Sequence, residues 1–303
     1  MKLGLGTAQF GMRYGVSNQR GKISADEIPA ILALATKSGI DVLDTAPAYG
    51  DSESVIGQAL ANSGIFRIVT KAPGQWADQE TLDIAGLLRG SLQQSLRRLR
   101  LDSVYGYLIH DLQGFSGSRS DRFIEALRDL KQEGLVGKVG VSVYTAADIE
   151  VILNRFVPDI VQVPVSIFDQ RLLRSGHLRE LKRRGVEIHV RSVFLQGLVL
   201  MQAENLTPYF SAVAGHLQRF SGFVADAGLT KLEAALAFIA QVPDIDVAIV
   251  GISGIHELEE ITGVIERNAS RGVWVPDAAS WAINDEHVLN PALWPGAVTG
   301  RHR

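Results

Sequence analysis

The sequence predicts an α/β protein, a (β/α)8 TIM barrel built as a single domain over residues 1–303. Three observations carry that reading. Short apolar runs of strand length alternate with longer stretches of helical spacing, and the alternation repeats eight times. Nearly every short run is apolar on both faces, as a parallel strand covered by helices must be. Eight such units over about 250 residues is the usual extent of a closed barrel. The competing architecture, an open doubly wound sheet, carries a dinucleotide glycine fingerprint after its first strand. Here "GLGTAQFG" has Gly4, Gly6 and Gly11 with no helical pattern directly behind them, a poor match.

The strands are read at residues 2–7 (KLGLGT), 40–45 (IDVLDT), 67–72 (RIVTKA), 104–110 (VYGYLIH), 138–144 (KVGVSVY), 160–166 (IVQVPVS), 187–194 (EIHVRSVF) and 247–253 (VAIVGIS). After the first strand, Ser24 and Glu27 stand in capping-box spacing. Ile28, Ile31, Leu32 and Ala35 then form one stripe, and Gly39 stops the helix. Pro29 falls in the first turn, where a missing N–H is tolerated. Leu88, Leu92, Leu96 and Leu99 mark a second long helix, and "SDRFIEALRDLKQEG" a third that ends on Gly134. The basic clusters at 97–100 and 181–185 sit at helix C-termini, where cations favour the dipole.

Two segments depart from the repeat. Residues 195–229 form an insertion after strand seven with a helical pattern of its own, expected over the barrel mouth where active sites sit. Residues 270–303, with Trp274, Trp281 and Trp294, read as an irregular C-terminal tail.

Composition excludes several classes of function. The chain is 46% hydrophobic and 21% charged, enough to build a large core without staples. It has no cysteine, so disulfides, thiolate metal sites and a cysteine nucleophile are absent. A net charge of -3 with no basic block argues against nucleic acid. The N-terminus is neither a signal peptide nor a membrane span, so a cytoplasmic enzyme acting on a small molecule is expected. The histidines form no cluster with carboxylates, so no metal is expected.

The chemistry gathers at one rim. In a barrel, Asp44, Lys71 and His110 close strands two, three and four, and Tyr49 follows Asp44 in the same loop. Neighbouring strands lie about 5 Å apart, so these side chains can converge. A tyrosine titrates near pH 10, and an ammonium beside it stabilises the phenolate and lowers that value. Lys71 fills this part if Asp44 pairs with it, while His110 orients a carbonyl toward the phenol. The set makes a general acid poised for carbonyl reduction once a hydride donor is present.

These residues carry a resemblance. "LGLGTAQFG", "DVLDTAPAYGDSESVIGQAL", "IVTKAP", "SLQQSLRRLRLDSVYGYLIHD", "ALRDLKQEGLVGKVGVSVY" and "VAIVGISGIHELEEI" resemble the successive motifs of the aldo-keto reductase superfamily, in order, from residue 2 to about 268. The resemblance implies a nicotinamide cofactor bound without a Rossmann domain, with Tyr49 as general acid, Lys71 as its partner, Asp44 pairing the lysine and His110 orienting substrate. By the same likeness the cofactor contacts are Gly6, Thr7, Ser142, Gln162, Arg191, Ser192, Gly251, Ser253 and Glu257. Ser142 and Gln162 are expected at the nicotinamide carboxamide, although Val143 stands where the family often has asparagine.

Arg191 stands where the family puts an aromatic platform under the ring. A guanidinium can also stack flat, and its charge is expected to disfavour the oxidised ring and make the bound cofactor a better oxidant. Gly251 and Ser253 open a helix suited to phosphate. Glu257 with no nearby Lys or Arg leans toward NAD, since a carboxylate suits a ribose hydroxyl, whereas the family as a whole leans toward NADP. The cofactor is therefore NADP or NAD. The opening "GLGTAQFGMRYGVSN" resembles aldose dehydrogenase-like bacterial oxidoreductases, which implies a sugar, lactol or small aldehyde as substrate. Trp76, Phe115, Phe168 and the insertion are expected to shape its pocket. A different class of reading keeps the cofactor site as a regulatory or sensing barrel with little turnover.

Overall fold

A computed structural model describes residues 2–60, 66–73, 83–110, 112 and 117–295. Eight parallel strands close into a barrel in chain order: β1 (Lys2–Gly6), β2 (Val42–Asp44), β3 (Arg67–Ala72), β4 (Val104–Ile109), β5 (Val136–Ser142), β6 (Ile160–Pro164), β7 (Glu187–Arg191) and β8 (Val247–Gly251). Twelve α-helical segments lie among the described residues. They are α1 (Ala8–Gly11), α2 (Ile28–Lys37), α3 (Ser52–Ala59), α4 (Ile84–Leu99), α5 (Gly117–Gln132), α6 (Ala146–Leu153), α7 (Arg171–Arg174), α8 (His177–Arg183), α9 (Ala214–Asp226), α10 (Lys231–Ala240), α11 (Ile255–Arg271) and α12 (Glu286–Leu289). None is long and apolar enough to cross a membrane.

Several strands end earlier than the sequence suggests, and the cause is physical. Val143, Val165, Val193 and Ile252 lie just beyond their ladders yet are almost completely buried. The apolar run therefore continues past the last strand residue into loops that cover the barrel top. The stripe of α2 is buried as its spacing requires, with Pro29 in the first turn. The capping box at its start does not form. Glu27 is the N-cap residue but makes no side-chain cap, because its carboxylate reaches across to the backbone N–H of Ile255 at 2.7 Å.

Inside the barrel, Val42, Val69, Leu108, Ile160, Val247 and Ile249 form an apolar plug. Gly4 makes room for it: a Cβ there would fall 2.5 Å from Ile249 Cδ1. Below the plug, at the strands' N-terminal ends, charged groups pair around Tyr105. Arg67 meets Asp41 at 2.7 Å, and Glu187 accepts from Tyr105 at 2.7 Å and contacts His189 at 2.7 Å and Lys138. Lys182 meets Asp246 at 2.8 Å. Above the plug, strand register sets Gly6 beside Asp44 and Gly251, Ser142 beside Gln162, and Pro164 beside Arg191.

The segment after β7 runs through short 3-10 turns into α9. Phe168, Phe220, Phe223, His216 and Trp281 pack edge-on or tilted, so α9 and the tail brace one another.

Candidate active site

The centre of the site is a buried ion pair. Lys71 is fully buried, and its Nζ donates to Asp44 Oδ1 at 2.7 Å, to the Thr45 carbonyl at 3.0 Å and to the Tyr49 hydroxyl at 3.4 Å. All three ammonium protons therefore have acceptors, which a buried charge demands. The second Asp44 oxygen accepts from Gln162 Nε2 at 2.7 Å, and Gln162 Oε1 accepts from Ser142 at 3.3 Å. A continuous chain thus runs from Ser142 through Gln162, Asp44 and Lys71 to the Tyr49 phenol.

Backbone packing fixes the phenol's loop. A Cβ on Gly11 would lie 1.7 Å from the Tyr49 carbonyl oxygen, and one on Gly50 2.4 Å from that of Gly11, so two glycines let α1 and the Tyr49 loop touch. Gly50 also has φ +61°, which favours glycine. Thr7 donates to the Asp44 carbonyl at 2.9 Å, and Ser52 donates to the Thr7 carbonyl at 2.9 Å. Behind Lys71, buried Glu53 accepts from Thr70 at 2.6 Å and from Arg98 at 2.7 Å, tying α3 and α4 to β3.

Protonation follows from burial more than from the ammonium. The Tyr49 phenol is raised well above its ordinary value, first by burial and then by the Asp44 charge, with Arg191 pulling the other way. Asp44 offsets the lysine's charge, and burial lowers the lysine's own affinity for a proton, with Asp44 the main opposing influence. His110 is pushed down to about 3 by burial and then by the Lys71 and Arg191 charges, so its imidazole is neutral. The two rings stand edge-on, 6.2 Å apart at 86°. At neutral pH the rim holds a protonated phenol and a neutral imidazole, a proton donor beside a hydrogen-bonding orienter.

A cleft of about 280 Å³ opens over this rim and runs to the start of α11. Gly6, Thr7, Asp44, Tyr49, Arg191, Ser192, Gly251, Ser253 and Glu257 all line it. Ser142 and Gln162 are instead buried and hydrogen-bonded as described, off the cleft wall. Arg191 stacks on the Tyr144 ring at 4.1 Å and donates to the Val143 carbonyl at 3.3 Å. At the far end, Ser253 N–H is taken by Glu257 at 2.7 Å and Ile255 N–H by Glu27. Arg20 pairs with Glu27 at 3.4 Å and crowds Gly254, where a Cβ would fall 1.7 Å from its Nη1.

The chain belongs to the Aldo/keto reductase family, whose profile matches residues 2–274. This aldo/keto reductase is 27% identical to L-galactose dehydrogenase of Arabidopsis thaliana, over 98% of this chain and 93% of that protein. It is 34% identical to the methylglyoxal reductase DkgB of Salmonella typhi, over 41% of this chain and 45% of that protein. In structure it matches an aldo-keto reductase from Bacillus halodurans in its holo form, with TM-score 0.70 and 22% identity, over 88% of this chain and 86% of that one. Proteins of the family interconvert small carbonyl compounds and alcohols, NAD(P)H serving the reduction and NAD(P)+ the oxidation, and this one is an oxidoreductase.

Sequence reading named Asp44, Tyr49, Lys71 and His110 but not what holds them. Tyr14 lines the cleft beside Tyr49, and its hydroxyl accepts from Gln196 Nε2 at 3.2 Å; only its place in "MRYG" before a glycine hinted at it. Ser192, Leu195 and Gln196 all take positive φ, of 59°, 49° and 54°, so strain is concentrated in the loop after β7. Arg20 left no local signal and Glu27 only a capping-box spacing, because the fold brings both to α11 from another loop. Phe168, expected in the pocket, is buried against His216 and Phe220 and does not line the cleft. Trp76 and Phe115 lie outside the described residues. Among the described residues no cluster of His, Asp and Glu is placed to hold a metal.

Proposed function

We propose that this aldo/keto reductase reduces the carbonyl of a small aldehyde, ketone or sugar to the alcohol, with Tyr49 supplying the proton. The observation that carries the reading is the hydrogen-bonded chain from Asp44 through Lys71 to a protonated phenol, with neutral His110 edge-on beside it. A carbonyl oxygen placed between Tyr49 and His110 receives one hydrogen bond from each when the imidazole presents its N–H. The phenol then transfers its proton to the developing alkoxide, and Lys71 stabilises the phenolate left behind. His110 stays neutral throughout, since a neutral donor orients the carbonyl without competing as an acid. The depressed basicity of His110 leaves Tyr49 as the acid.

The residues present fit a nicotinamide dinucleotide. One cleft joins the Tyr49 rim to the α11 helix start, with four glycines and a set of hydroxyls along it. Bound there, the cofactor supplies or accepts the hydride. Gly6, Thr7, Arg191, Ser192, Gly251 and Ser253 would hold it along the wall. Ser142 and Gln162, whose mutual hydrogen bond is long, would offer a hydroxyl and an amide oxygen to the carboxamide once that bond is exchanged. The far end is acidic: Glu257 and Glu260 line it, and Glu27 holds both the Ile255 amide and Arg20. A 2'-phosphate would meet these carboxylates, whereas a ribose hydroxyl can donate to one, so NAD(H) is the cofactor proposed. The 98% span of the match to L-galactose dehydrogenase supports a sugar among the substrates.

Fluorescence titration with NADH and NADPH, followed by turnover on an aldehyde and sugar panel, tests this reading. Tighter binding of NADH with turnover lost in Tyr49→Phe is the expected outcome. Binding with no turnover in the wild-type protein favours a sensing role, and no binding of either cofactor removes the oxidoreductase reading of the cleft.

A further inference from the structure

The catalytic end of the cleft carries a charge that the proton chain does not use. Lys71 and Asp44 offset one another at 2.7 Å, the Tyr49 phenol keeps its proton and the His110 imidazole is neutral. That leaves Arg191, half-buried at the end of β7 and lining the same cleft. Its contacts among the described residues are the Tyr144 ring at 4.1 Å, the Val143 carbonyl at 3.3 Å and the Ser192 hydroxyl at 3.5 Å, none of them an anion. Stacking on Tyr144 holds the guanidinium in place. The other acids of the cleft, Glu257 and Glu260, stand on α11.

The field of this cation covers the place where the hydride must move. Burial dominates the proton affinities of Tyr49, Lys71 and His110, and the Arg191 charge lowers all three. A carbonyl held between Tyr49 and His110 takes its hydride from a carbon about 3–3.5 Å away. The nicotinamide ring is therefore confined to this end of the cleft, beside Arg191, whatever path the rest of the dinucleotide follows. That ring is neutral when reduced and cationic when oxidised, so a fixed cation in a partly dry cleft acts on one redox form and not on the other.

We propose that Arg191 sorts the cofactor by redox state, retaining NADH and repelling NAD+, and so raises the reduction potential of the bound couple. The proposal rests on the carbonyl-reductase reading above and assigns a residue to its cofactor exchange. In the reduction the carbonyl carbon receives the hydride, its oxygen takes the Tyr49 proton, and the ring that gave up the hydride gains a positive charge. That charge then faces the guanidinium. Oxidised cofactor departs readily and NADH loads in its place, while the hydride step becomes less downhill by the same factor.

The test measures Kd by calorimetry, without substrate, for NADH, NAD+ and ADP-ribose, which lacks the nicotinamide. It is run on the wild type, Arg191→Gln and Arg191→Lys. The ratio of the NAD+ constant to the NADH constant is expected to fall about 10-fold or more in Arg191→Gln, a shift of about 30 mV in the bound couple. Arg191→Lys should keep most of the ratio, and ADP-ribose should bind all three proteins alike. Both constants come from one preparation, so a variant that folds in low yield still reports its ratio. NADPH and NADP+ give the same readout if the 2'-phosphate is preferred, since both forms carry it.

An unchanged ratio in Arg191→Gln overturns the proposal and leaves the reductase reading intact. So does equal weakening of all three ligands, ADP-ribose included, which assigns the guanidinium to the diphosphate. A ratio lost as fully in Arg191→Lys as in Arg191→Gln also overturns it, because the charge is still there. Failure of the wild type to bind either redox form removes this proposal and the reductase reading together.

Discussion

The two ends of the barrel are both lined with charge, yet they are built on opposite terms. At the N-terminal end Arg67, Lys138 and Lys182 each meet a carboxylate, and all three side chains keep about a third of their surface in water. At the C-terminal end Lys71 is completely buried, its one carboxylate is shared with Gln162, and Arg191 has no acid within salt-bridge distance among the described residues. Between them lies the same apolar plug. Satisfied pairs in water contribute little and leave nothing for a ligand to do. A dry, over-determined pair with a spare cation beside it costs stability and leaves donors ready for reacting atoms. The contrast separates a closure that holds the barrel from a surface that acts on substrate.

Removing one partner at each end breaks the comparison most sharply. Lys71→Met strands Asp44 in the interior and is expected to destabilise the fold by about 3–5 kcal/mol and to abolish turnover. Arg67→Met, at the other end, is expected to cost under about 1 kcal/mol with turnover intact. Denaturant unfolding of the two variants checks the pair, and similar losses would erase the distinction. Next in size, Tyr49→Phe should lower the reduction rate by about 100- to 10,000-fold with native stability.

The site's protonation gives a smaller and separable effect. His110 binds its proton near pH 3 in the folded chain against an ordinary 6.5, so the unfolded chain takes up more protons in that window. Its contribution to stability is present above about pH 6.5 and is lost as pH falls toward 3. Thermal melts of His110→Gln should therefore decline less steeply than wild type over that range. Weaker still, Glu27→Ala frees the Ile255 amide and Arg20, and is expected to shift the NADPH to NADH affinity ratio toward NADPH by about 10-fold, read by fluorescence titration.

Much of this was legible in the chain. The strands' positions followed from two-sided apolar runs, and the active rim from Asp44, Lys71 and His110 falling at strand ends with Tyr49 close behind. What escaped was whatever depends on distant segments meeting. Glu27 sits in capping-box spacing, and nothing local reveals that its carboxylate serves α11, 228 residues away in sequence. The stacking of Arg191 on Tyr144 joins two strand ends whose spacing carries no periodic signal. The phenol's surroundings escaped for a related reason. Adjacency of lysine and tyrosine is visible in motifs, but the burial that outweighs it belongs to the folded barrel.

The most direct measurement is single-turnover oxidation of bound NADH by a carbonyl substrate, in wild type and Tyr49→Phe, at cofactor concentrations that saturate both. A site organised around a protonated phenol predicts equal NADH binding, rapid oxidation in the wild type and oxidation at least about 100-fold slower in the variant. Equal rates in the two proteins would contradict the assignment of Tyr49 as the proton donor.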